Sequence, residues 1–172
     1  MLMPALLGAA AFLHSSDAYT CPKSGALIYA SCKTTVSAAD TCESVRLEML
    51  ARVGGQYGSW HDPHNNGTYS VIDDTSQTSL ALQRVTGDNK YTDKITFTFE
   101  AAGNYDGCVV RGCSRSQVTS VADFSTNYCN MYSLYCSSAD GCKYAERDIA
   151  VTETEVKPSS GASKDKSACL KV

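Results

Sequence analysis

Four things are missing from this 172-residue chain, and each absence closes a class of function. Beyond the amino-terminal run there is no apolar stretch of the roughly 20 residues a membrane helix needs. The Lys and Arg residues are scattered, and the formal net charge is only −3. No basic stripe exists to neutralise a phosphate backbone, which excludes nucleic acid as a partner. No Cys-x2-Cys pair is present to seat a structural zinc. No serine sits in a Gly-x-Ser-x-Gly elbow, the strand–turn–helix context that arms a hydrolase nucleophile.

What is present is cysteine: Cys21, Cys32, Cys42, Cys108, Cys113, Cys129, Cys136, Cys142 and Cys169. They follow a leader-like segment, MLMPALLGAAAFLHSSDA, whose apolar run from Met1 to Leu13 suits a signal-peptide core and is too short to cross a bilayer. Small residues at Ser16 and Ala18 fit peptidase cleavage after Ala18. The expected product is exported to an oxidising compartment, where most thiols pair. The cysteine content lies below the roughly 8–10% of pure disulfide scaffolds, so a packed core with four staples and one spare thiol is expected. Cys169, in the tail, is the freest to link a second chain into a dimer; Cys42, on an apolar helix stripe, is the alternative as a buried free thiol.

The chain divides into a leader (1–18), a single domain (19–156) and a Ser-, Gly- and Lys-rich tail (157–172) expected to be flexible and tethered through Cys169. Within the domain, Ala26–Ala30 suits a short strand or the start of a helix. Cys42, Val45, Met49 and Val53 fall on one helical stripe. They predict a helix from about Ala38 to Val53, capped by Ser37, with Arg52 on a polar face and Gly54-Gly55 as its stop. Gln56–Gly67 is a turn-rich connector. Thr68–Ile72, Ser79–Val85, Asp93–Glu100 and Cys108–Arg111 read as strands, the second and third joined as a hairpin through Gly87-Asp88-Asn89-Lys90. A further turn is expected over Gly103–Gly107. Ser114–Cys136 fits either period, with Tyr128, Asn130, Tyr132 and Leu134 alternating as a strand would. Ile149–Val156, laced with acidic residues, suits an edge strand. The expected fold is α+β: one amphipathic helix packed on a curved antiparallel sheet of five or six strands, stapled by disulfides. A small lipocalin-like barrel is the alternative, prompted by Gly58-Ser59-Trp60.

Candidate chemistry concentrates in Trp60-His61-Asp62-Pro63-His64-Asn65-Asn66. His61, Asp62 and His64 are donors of the type that bind a metal, with Asp73 or Asp74 as a further ligand. Either imidazole, oriented by Asp62, is also a candidate general base. The competing reading is a polar turn shaped by Asp-Pro and Asn-Asn-Gly. Asn66-Gly67-Thr68 is an N-glycosylation sequon in the same loop. Ser114, Ser116, Ser125, Thr126 and Asp123 supply hydroxyls and a carboxylate without a nucleophile motif. Tyr128, Tyr132 and Tyr135, with Asn127 and Asn130, form either a recognition surface or sheet filling with hydroxyls at the rim.

The runs WHDPHNNGTY, TGDNKYTDKITFTF, CSRSQVTSVADFSTNYCNMYSLYC and DGCK resemble small secreted cysteine-rich proteins of marine microalgae. The resemblance implies export and a shared cysteine framework, and no activity. The functional expectation is a secreted, disulfide-stabilised, non-catalytic binding or surface-interaction module without a cofactor. Its partner would be an extracellular protein, a glycan or a small ligand. The alternatives are a small-ligand or metal carrier and a small hydrolase based on His61 or His64.

Overall fold

The structure, a computed structural model, describes residues 19–103 and 106–171. The expected leader lies outside them, as does part of the Gly103–Gly107 turn. Six strands form one antiparallel sheet: β1 (Ser31–Ala38), β2 (Thr68–Asp73), β3 (Ser79–Val85), β4 (Thr92–Ala101), β5 (Cys108–Ser116) and β6 (Val151–Pro158). Their order is β2-β3-β4-β5-β1-β6, with β2 and β6 as open edges. Two helices, α1 (Cys42–Gly55) and α2 (Thr126–Tyr135), cover one face. The fold is therefore α+β with an open sheet, and the barrel alternative is corrected: Trp60 lies in the connector before β2 and not on a strand.

The inner face follows strand periodicity. Leu80 and Leu82 of β3 pair with Phe97 and Ile95 of β4, and Phe99 pairs with Val110 of β5. All are buried. At Gly112, opposite Phe97, a Cβ would press on the Phe97 ring and the Met131 sulfur, so glycine here lets α2 approach the sheet. The N-terminal segment crosses the outer face and is stapled there by Cys21–Cys113. That bridge spans a sequence separation of 92, for which loop entropy alone contributes about 4–5 kcal/mol. Cys42–Cys108, Cys129–Cys169 and Cys136–Cys142 complete the framework.

Several sequence expectations change. The stretch 26–30 forms neither strand nor helix; the strand begins at Ser31. Ser37 is a residue of β1 and not a helix cap; Thr41 caps α1, its hydroxyl accepting from Ser44 N at 3.2 Å. Gly54 and Gly55 complete the last turn of α1 rather than stopping it. Arg52 is buried, not on a polar face. It pairs with Glu48 at 2.7 Å and donates to the Ser133 and Cys136 carbonyls at the end of α2, where a cation suits the helix dipole. The alternating tyrosines belong to a helix, because α2 is enclosed on every side by the sheet, α1 and the tail, and an enclosed helix has no polar face to betray its period. Tyr128 and Tyr135 donate to Glu153 of β6 at 2.9 and 2.6 Å, and all three tyrosine rings are core. The thiol without a partner is Cys32, buried in β1, and burial pushes it up to about 12. Cys42 and Cys169 are both in bridges. The tail is bonded to the body: Ser163 and Asp165 bond with the loop before α2, and Cys169 fixes the final turn.

Candidate functional cleft

At one end of the inner face the strand period continues but the residue type changes. After Leu80 and Leu82 comes Arg84; before Ile95 comes Asp93; after Val110 and Gly112 come Ser114 and Ser116. Arg84 pairs with Asp93 across β3–β4, and Asp93 with Ser116 across β4–β5. Each is buried. Above them lies a cleft of about 650 Å³, walled by the 64–66 turn, the β3–β4 turn and the loop before α2. That size is ordinary for a small-molecule site.

Two carboxylates build this end. Asp62 is wholly enclosed, its Oδ2 2.6 Å from Arg84 Nε, with the Tyr69 hydroxyl donating to it at 3.0 Å. Its Oδ1 accepts from His64 N at 2.9 Å, and Arg84 also donates to the His64 carbonyl. The pair explains Gly67, where any Cβ would collide with the Arg84 guanidinium. Asp123 caps the start of α2 in place of the N-cap side chain: Oδ2 accepts from Asn127 N and Nδ2 at 3.1 and 3.0 Å, and Oδ1 from Ser125 N and Ser163 N at 3.2 and 3.4 Å. Phe124 and Ser125 are both left-handed, at φ 46° and 71°.

The expected His61/Asp62/His64 constellation does not assemble. Asp62 is consumed by Arg84, Tyr69 and His64 N. His61 is exposed at a second, smaller cavity of about 260 Å³ beside Trp60 and the Cys136–Cys142 bridge, whereas His64 lines the large cleft. Asp73 and Asp74 are on the surface. Among the described residues, no three His, Cys, Asp or Glu side chains converge on a metal position. Asn66 is exposed at the rim of the large cleft, adjacent to His64 as the sequon placed it.

His64 is fixed in one tautomer. Its Nδ1 lies 2.8 Å from the Ala168 carbonyl, which can only accept, so Nδ1 carries the proton. Burial holds the ring's pKa below its usual range, leaving Nε2 as an acceptor for Asn65 Nδ2 at 2.9 Å, with the Thr126 hydroxyl at 3.2 Å. A hydroxyl beside an oriented imidazole has two parts of an acyl-transfer site. The third part, free N–H donors for an oxyanion, is taken: the helix N–H groups beside Thr126 already bind Asp123.

Asp93 closes the floor of the cleft. Its Oδ2 accepts from Asn130 Nδ2 at 2.8 Å, while its Oδ1 and the Asn130 Oδ1 have no partner. Burial raises its pKa, against the opposing pull of Asn130. Ser114 Oγ links Asn127 to Asn130, and Asn127 Nδ2 reaches Ser116 Oγ. Sequence reasoning named Ser114, Ser116, Asp123, Asn127 and Asn130 without relating them and missed Arg84 and Asp93. The available signal was position: both sit where the alternation of Leu80-Leu82 and Ile95-Phe97 places an inward residue. No protein-family model matches the chain, and neither a curated protein nor a solved structure matches it.

Proposed function

We propose that this protein is an exported binding module that takes a small polar ligand in the cleft between the 64–66 turn and the start of α2. The observation that carries this reading is Phe124. It is 81% exposed, stands on the cleft wall, and holds a left-handed backbone at φ 46°. A bulky residue in that region costs roughly 1–2 kcal/mol, and an exposed ring returns almost no burial. The four N–H bonds to Asp123 fix the loop that holds it there. Strain held in place without a packing benefit is a mark of a functional site. The unpartnered acceptors of Asp93 and Asn130 beneath the cleft point the same way. Four disulfides support an oxidising compartment, and among the described residues no helix is long and apolar enough to cross a membrane.

Crystallographic fragment screening tests the reading. Polar fragments are expected to cluster in the large cleft against Phe124 and to vanish from it in Phe124→Ala. Fragments confined to the Trp60–His61 cavity, or unaffected by that substitution, would sink it.

A further inference from the structure

The chemistry of the cleft selects its ligand, given the reading that the cleft is the binding site. Its described lining includes three carboxylates, Asp88, Asp93 and Asp123, and no Lys or Arg. An anion therefore meets negative charge, and the one positive dipole end available, the start of α2, is already filled by Asp123. A compact cation fares no better, because the carboxylates are engaged. Asp123 accepts four N–H bonds. Asp88 accepts from the Thr86 hydroxyl and Lys90 N, with the Lys90 ammonium at 3.1 Å. Asp93 is buried against Asn130. An apolar ligand would strip water from Asn65, Asn66, Ser116 and Thr126 without replacing their hydrogen bonds. What remains is a neutral molecule that is hydroxyl-rich around its edge and apolar on a face.

We propose that the ligand is a neutral saccharide. A pyranose presents a C–H face suited to the Phe124 or Tyr91 ring on the cleft wall, and hydroxyls that both donate and accept. Such hydroxyls match the Asn65 and Asn66 amides and the Thr126 hydroxyl. Rigid aromatic and short polar side chains together are an economical recognition surface.

The test is calorimetric titration with three defined probes: a neutral oligosaccharide set, its sulfated counterpart, and a glucosamine oligomer carrying amines. The full chain is exported to a bacterial periplasm, which forms the bridges and leaves Asn66 without a glycan. Neutral oligosaccharides are expected to bind with little dependence on salt. Phe124→Ala should weaken them about tenfold, the size of one lost stacking contact, and Thr126→Val should weaken them again. Binding of only the sulfated or amine probe would overturn the saccharide assignment on charge. Polar non-sugar fragments in the cleft, with all three probes silent, would overturn it while leaving the cleft as the site. Oligosaccharide binding indifferent to both substitutions would overturn the cleft itself.

Discussion

The two ends of the inner sheet face use the same strands and the same burial but opposite chemistry. At one end Leu80, Leu82, Phe97, Phe99 and Val110 fill the space between sheet and helices. At the other, Arg84, Asp93, Ser114 and Ser116 occupy equivalent positions and are just as buried. An apolar end stabilises without direction, so neighbours of similar shape can replace one another. A polar end is stable only when each donor and acceptor is met, which makes it specific and leaves it brittle. Of the buried side-chain atoms without a partner among the described residues, Arg84 Nη1, Asp93 Oδ1 and Asn130 Oδ1 lie at the polar end, while Arg46 Nε and Arg115 Nε lie elsewhere, on α1 and on the outer side of β5.

Removing one charge should separate the two ends most. Asp62→Ala leaves Arg84 buried and unpaired and should cost about 3–5 kcal/mol in urea denaturation. Phe97→Leu at the apolar end should cost about 1 kcal/mol. Replacing both charges, as Asp62→Leu with Arg84→Met, should recover most of the loss; a double variant as unstable as the single one would show that the pair does more than neutralise itself. A smaller effect separates two titrating groups of opposite sign. The raised pKa of Asp93 means its contribution is present at low pH and lost as pH rises from its unfolded value near 4 through the folded one. Asp93→Asn should therefore gain stability relative to wild type as pH rises, and a constant difference would contradict the assignment. His64 behaves the other way: its pKa is lowered, so stability is present above about 6.5 and falls as pH drops below that value toward the folded one. Stability curves from pH 4 to pH 8 for His64→Gln should lack that acid-side fall.

Legibility followed the same division. The β3–β4 hairpin and β6 were readable because apolar alternation or edge charge marks them, and the α1 stripe was readable because Val45, Met49 and Val53 face the core. Strand β1, which lies between β5 and β6, was not, because its inward residues are Cys32, Thr34, Val36 and Ala38, too small and too polar to stand out. That oversight pushed the helix start back to Ala38 from Cys42. The site was half readable. Its loop was conspicuous for its histidines, yet Asp62 proved to be the partner of a residue 22 positions later, a distance that no local pattern reports. Asp123 was visible as a carboxylate, but its role at the head of α2 required knowing that Ser114–Cys136 ends in a helix.

The most direct test is the unfolding free energy of Phe124→Gly. If Phe124 is held at the cleft for a ligand and not for the fold, glycine relieves the left-handed backbone and stability rises by about 1 kcal/mol. A fall in stability of similar size would mean that the exposed ring supports the fold and is not held at the cleft for a ligand.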